Sequence, residues 1–197
     1  MRTILTIWTQ PRKTFEYLDN HEGIDPEVNL NVLYYLGALS MMIPGIPSAI
    51  SKYEISQEPL AYLIIITLTG AIIGAFFGMA LLKYVQSYVL WKVGKVLEGK
   101  ASKSQVQMVI AYSLIPGLIS LLLSLVLLVV ALIKQDINIV GYQNPLTVFL
   151  IWIFGFRTLI FGLARFNRFS YVYALINVLL VISLFQGIIW GLRYWMQ

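Results

Sequence analysis

The stretch Gly99-Lys100-Ala101-Ser102-Lys103-Ser104-Gln105-Val106-Gln107-Met108-Val109-Ile110-Ala111-Tyr112-Ser113-Leu114-Ile115-Pro116-Gly117 decides how this chain is read. A basic turn carrying Lys100 and Lys103 runs straight into an apolar run. The chain therefore leaves a charged face and enters hydrocarbon within a few residues. Tyr112, Pro116 and Gly117 stand inside that run. A proline within a helix removes one backbone hydrogen bond and clashes with the preceding turn, so a break is expected at Pro116-Gly117. The apolar run continues to Ile133. A span over 106–133 exceeds the roughly 20 residues that cross a bilayer, so it must tilt or kink.

Composition points the same way. Of 197 residues, 59% are hydrophobic and 12% are charged, and the mean hydropathy is +0.79. Soluble domains carry about 25% charged residues, so the chain reads as an integral membrane protein of one compact domain. It has no cysteine, which excludes disulfides, thiol catalysis and cysteine metal sites. The net charge of +5 is explained by basic loops on one face of a bilayer, and no nucleic acid is implied. After Arg2, the apolar stretch Ile4–Trp8 is too short for a signal-peptide core of about 7–15 residues.

Working outward, four more spans appear. Before the central stretch lies 60–82, which is expected to continue past Lys83 toward Glu98 with Tyr84, Tyr88 and Trp91 as interfacial anchors. It carries Gly70, Gly74 and Gly78, a doubled GxxxG suited to close helix approach, within the chain or between copies. After the polar loop 134–145 come 146–163, a short basic turn with Arg165 and Arg168, and 170–192 with a second GxxxG at Gly187 and Gly191. The first span, 30–50, is interrupted by Pro44-Gly45-Ile46-Pro47. There the helix either ends near Ile43 or kinks. Met42–Ile46 resembles Leu114–Leu118, but five residues are too few to establish a duplication. Residues 1–29 are not a span. Phe15 and Leu18 suit a short helix from Pro11, a good first-turn residue, and Trp8 with its basic neighbours suits the headgroup layer. The other reading is a solvated tail. The expected fold is an all-α bundle of five transmembrane helices in 30–197, with a short interfacial N-terminal helix in 1–29.

Five spans alternate the loops between two faces. One receives Arg2, Arg12, Lys13, Lys83, Lys92, Lys95, Lys100, Lys103, Arg165 and Arg168. The other receives Lys52, Lys134 and Arg193. The positive-inside rule then places the N-terminus in the cytoplasm and the C-terminus outside. The loop lysines Lys92, Lys95, Lys100 and Lys103 either face anionic lipid, at roughly 1 kcal/mol each, or only set topology.

Few residues offer chemistry. No acid lies within a span, and His21 has no second histidine with which to hold a metal. No phosphate loop, nucleophile elbow or H-E-x-x-H occurs, and no cofactor is expected. Acids Glu16, Asp19, Glu22, Asp25, Glu27, Glu54 and Glu58 all lie outside the spans. Arg157 is the exception inside one, at a cost of about 2.5–3.5 kcal/mol on insertion scales. Tyr112 and Asn177 fall at matching depth. The expectation is a polar layer of Tyr112, Arg157 and Asn177, in which Arg157 donates to the Asn177 amide oxygen and to carbonyls freed by Pro116. The alternative is that Arg157 snorkels to lipid phosphate.

Three stretches carry a family likeness. Ile7-Trp8-Thr9-Gln10-Pro11-Arg12-Lys13-Thr14-Phe15 is similar to an opening motif with a proline just before a phenylalanine. Leu97-Glu98-Gly99-Lys100-Ala101-Ser102, followed by Tyr112-Ser113-Leu114-Ile115-Pro116, resembles a central glycine–basic turn and tyrosine–proline span. Trp152 to Ala174 resembles a closing pair of spans joined by a short turn. Together they resemble the Yip family of five-span membrane proteins, in its bacterial form. The resemblance implies a cytoplasmic N-terminus, a bacterial inner-membrane location and no catalytic residues. Eukaryotic members bind prenylated Rab GTPases through a longer N-terminal segment, so a Rab-type partner is not expected here. Some bacterial relatives accompany ABC-type export systems, which implies an accessory role.

Two functions follow as expectations. One is a non-enzymatic membrane adaptor or scaffold that associates with lipids, with itself or with an ABC-type transporter through its glycine faces. The other is a small transporter or channel using the breaks at Pro44–Pro47 and Pro116, with Arg157 in the pathway.

Overall fold

The computed structural model describes residues 3–21, 28–52, 59–142 and 144–195, without the side chains of Ser51 and Lys52. Arg2, Glu22, Asp25, Glu27, Glu54, Glu58 and Gln197 lie outside the described residues. What is described is helical throughout, and five helices are long and apolar enough to cross a membrane.

The first span kinks rather than ends. Helix α3 (Leu30–Met42) passes through one 3₁₀ turn at Ile43–Gly45 into α4 (Ile46–Lys52). The lost proline donors are absorbed by tightening the turn, a common device where an α-helix cannot continue. Pro47 then packs on the following segments, since a Cβ on Gly141 would stand 3.2 Å from its Cγ.

The second span runs without interruption from Leu60 to Val96, as α5 (Leu60–Ala80), a π-helical segment (Leu81–Gln86) and α6 (Ser87–Val96). The π segment has a visible cause. The Lys83 carbonyl accepts from the Ser87 hydroxyl and from Gln107 Nε2 at 2.9 Å. A side chain from another helix thus enters the hydrogen-bond ladder and widens it.

The expected single span over 106–133 is two helices. Helix α7 (Lys103–Ser113) opens on a capping box, with Ser102 Oγ accepting from the Gln105 amide and Gln105 Oε1 from the Ser102 amide. It ends in a tight turn at Leu114–Pro116, and α8 (Gly117–Lys134) follows. Bonds of 3₁₀ type bridge the break, from Ile115 N to Tyr112 O (3.2 Å) and from Gly117 N to Leu114 O (2.9 Å). The second bond takes the amide that would have served Ser113 O. Among the described residues, α7 is the most enclosed helix, with Met108 to Tyr112 all buried. A four-residue helix, α9 (Asn138–Gly141), precedes α10 (Pro145–Asn167) and α11 (Tyr171–Trp195).

The N-terminal segment is part of the bundle. Helix α1 (Thr3–Thr9) precedes α2 (Pro11–Asn20), which starts at Pro11 as the sequence predicts. The apolar face of α2 meets protein. Phe15 and Leu18 are fully buried, and the Phe15 ring sits 6.0 Å from both Tyr112 and Phe166, edge-on to each. These side chains, with those of α7, α10 and α11, form one core. A second core joins α3, α4, α5, α8 and α9.

Candidate functional site

The break at Pro116 opens a cavity of about 280 Å³, lined by Ser40, Gln86, Ser113, Leu114, Gly117 and Gly155 together with apolar side chains of α10 and α11. Two irregular turns therefore face one space, since Gln86 closes the π segment. Gly155 is required there, because a Cβ would stand 2.9 Å from the Ser113 carbonyl, an atom that cannot swing aside. Ser40 and Ser113 donate to carbonyls of their own helices, at 2.7 Å each.

The structure does not bring Tyr112, Arg157 and Asn177 together. The Tyr112 hydroxyl is buried and donates to Thr3 Oγ1 at 2.9 Å. Arg157 is exposed on the outer face of α10, its guanidinium 5.5 Å from the Phe161 ring centre. Asn177 is fully buried, and neither of its amide atoms has a hydrogen-bond partner among the described residues. The expected Arg157–Asn177 bond is absent because equal depth does not fix the direction around a helix axis. The carbonyl uncovered at the break faces Gly155, not Arg157, and Arg157 does not line the cavity at Pro116.

Asn177 instead lies beside Asn167 and Gly94. A Cβ on Gly94 would stand 3.1 Å from Asn177 Nδ2 and 3.3 Å from Asn167 Oδ1. Asn167 holds the central basic turn, its Oδ1 accepting from the Ala101 amide (3.3 Å) and its carbonyl from the Lys100 amide (3.2 Å). Gly99 packs so close that a Cβ there would meet the same Oδ1.

The glycine faces divide. A Cβ on Gly74 would stand 2.8 Å from Met42 Sδ, and one on Gly78 would stand 3.0 Å from Ala38 Cβ. A Cβ on Gly70, Gly187 or Gly191 would meet nothing within 4 Å among the described residues beyond its own helix backbone. The central stripe therefore packs within the chain, on α3.

At one end of the bundle the basic residues converge. Lys92 and Lys103 both hold their ammonium groups 5.6 Å from the Tyr88 ring, and Lys95 donates to the Gly99 carbonyl at 3.0 Å. Lys100 is exposed. Beside them lies a cluster that sequence reasoning missed. Asp19 Oδ2 accepts from Arg165 Nε at 2.9 Å and pairs with Arg168 at 3.0 Å. Arg12 bonds Glu16 at 3.0 Å, and this bond holds its guanidinium above its ordinary pKa. Arg168 closes α10 in the left-handed region, at φ 59°, where the amides of Arg168 and Phe169 bond back to the carbonyls of Arg165 and Ala164. That helix end is what turns its guanidinium toward Asp19.

Among known families, the one described as the Yip1 domain matches residues 5–192. No curated protein and no solved structure matches the chain.

Proposed function

The chain belongs to the Yip1-domain family, and from that premise we propose that it is a non-enzymatic adaptor of a bacterial inner membrane. It engages a membrane partner through the outer half of α11. One observation carries this reading. Ala174, Asn177, Val178 and Val181 are buried in the first half of α11. From Ile182 to Trp195 only Phe185 is even half-buried, and Trp190 is 77% exposed. An apolar helix half that the described residues leave almost wholly exposed, carrying an open GxxxG, suits a second helix at close range. The partners expected from the sequence are a second copy of the chain or an ABC-type export transporter. The N-terminus lies in the cytoplasm on this reading. What supports that orientation is the meeting of α2, the 97–102 turn and the 168–170 turn at one basic end.

The test is a photo-crosslinking side chain placed at Trp190 in native membranes. A crosslink to a protein at fixed stoichiometry supports the adaptor. Crosslinks to lipid alone would sink it. A reporter fused after Trp195 should be active only outside the cytoplasm.

A transporter reading draws support only from the cavity beside Pro116, because Arg157 stands apart from it. Solute flux in liposomes carrying the purified chain would be needed to revive it.

A further inference from the structure

A groove runs along the outside of α10 beside the start of α11. At its charged end is a cleft of about 300 Å³ lined by Arg12, Glu16, Arg165 and Arg168, with Phe161, Phe169 and Tyr171 as aromatic walls. Toward the membrane interior it meets a second cleft of about 360 Å³, lined by Arg157, Ile153, Phe156 and Ile160. Phe161 and Tyr171 line both, so the two clefts share a wall. Residues 157, 161 and 165 of α10 follow i, i+4 and i+8, the spacing of one helix face, and Arg168, just past the helix end, lines the charged cleft as well.

The charges along this face do not balance. Four arginines meet two carboxylates, Asp19 and Glu16. Glu16 takes Arg12 Nε, and Asp19 takes Arg165 Nε and one terminal nitrogen of Arg168, so each of these guanidinium groups keeps donors that its carboxylate does not use. Among the described residues Arg157 has no hydrogen bond or ion pair, and its guanidinium lies over the Phe161 ring. A guanidinium within an apolar span is costly unless oxygen acceptors meet it, and its planar fork of donors takes phosphate or ester oxygens.

We propose that this groove holds an anionic phospholipid, its phosphate among Arg12, Arg165 and Arg168 and its glycerol ester region against Arg157. The acyl chains lie along Ile153, Phe156 and Ile160. The lipid is favoured over a free phosphate because the charged cleft continues into an apolar one. The site stands whether or not α11 has a protein partner.

The experiment is native mass spectrometry of the full chain, purified in mild detergent, with dioleoyl phosphatidylglycerol or dioleoyl phosphatidylcholine added. Phosphatidylglycerol should be retained roughly tenfold more strongly. Among the described residues Arg157→Gln breaks no hydrogen bond or ion pair, only the contact with the Phe161 ring, and it should lower that retention roughly tenfold with little change in thermal midpoint. Arg157→Lys should restore part of it, keeping the charge without the planar fork. If Arg157→Gln fails to fold, Arg12→Gln on the exposed face of α2 reads the headgroup end with the same expected loss. Lys92→Gln, on the separate lysine surface, should change nothing. Equal retention of the two lipids would overturn the proposal, as would equal loss from Lys92→Gln. Displacement by soluble glycerol phosphate at matched concentration would assign the cleft to a small phosphate and overturn the lipid.

Discussion

Two glycine stripes of the same spacing meet opposite fates in this molecule. On α5, Gly74 and Gly78 lie under Met42 and Ala38 of α3. On α11, a Cβ at Gly187 or Gly191 would meet none of the described residues within 4 Å beyond its own helix backbone. Glycine at every fourth position removes the side chains that would hold a neighbouring backbone away, and so permits close approach. Whether the approach happens depends on the other helix. Ala38 is small enough to come near, and Met42 is supple enough to fill what remains. No such pair is brought to the end of α11. One stripe closes the fold, and the other is left uncovered by the described residues.

The largest expected effect is at Gly78. Its Cβ would stand 3.0 Å from Ala38 Cβ and 4.0 Å from the Ala38 backbone. Gly78→Leu must push α3 and α5 apart, and overpacking of this kind costs about 1–3 kcal/mol. Thermal unfolding in detergent, followed by tryptophan fluorescence, should show a clear fall in midpoint. An unchanged midpoint would mean that the α3–α5 contact is not what the stripe provides.

Gly187→Leu is the counterpart. Among the described residues nothing beyond its own helix turns lies within 4 Å of a Cβ added at position 187, so the midpoint should hold. Association should weaken about tenfold, near 1.4 kcal/mol, read as loss of the crosslink from position 190 in native membranes. A fall in midpoint with the crosslink intact would reverse the roles assigned to the two stripes.

The same contrast shows what the sequence can and cannot carry. Hydropathy and proline act over a few residues, and they suffice for the five spans, the breaks at Pro44 and Pro116, and the continuation past Lys83. The π segment is not legible locally because its cause, Gln107, reaches in from α7. The N-terminal helix starts where Pro11 predicts, but an amphipathic face reads alike whether it will meet lipid or protein. Arg157 and Asn177 share a depth yet point apart. Asp19 meets Arg165 across 146 residues of sequence, and no local pattern marks such a pair. The one missed local signal is Ser102-x-x-Gln105, whose spacing announces the capping box at the start of α7.

Within the α5 stripe, Gly70 sharpens the contrast from the stabilising side. It sits in open space, so Gly70→Ala removes backbone freedom from the unfolded chain and clashes with nothing. A gain of about 0.4–1 kcal/mol is expected, seen as a small rise in thermal midpoint. A fall would reveal a close neighbour at Gly70, and the stripe would then be in contact along its whole length.

Gly74→Ala should have the smallest effect, because two terms of similar size oppose each other. Alanine is favoured over glycine in a helix by about 0.8–1.0 kcal/mol. Against that, the new Cβ would stand 2.8 Å from Met42 Sδ and 3.3 Å from its Cε. Those atoms end a flexible, half-buried side chain, and moving it off its rotamer costs about 0.5–1.5 kcal/mol. The thermal midpoint should therefore stay within a degree or two of the parent, since a 1 kcal/mol change moves it by about 2–4 °C in a chain of this size. Met42→Ala in the same background removes the opposing group. The alanine at position 74 should then be stabilising relative to Met42→Ala alone, so that the pair is non-additive in a double-mutant cycle. If the two changes were additive, Met42 would not be what fills the groove at Gly74, and the closed stripe would rest on Ala38 and Gly78 alone.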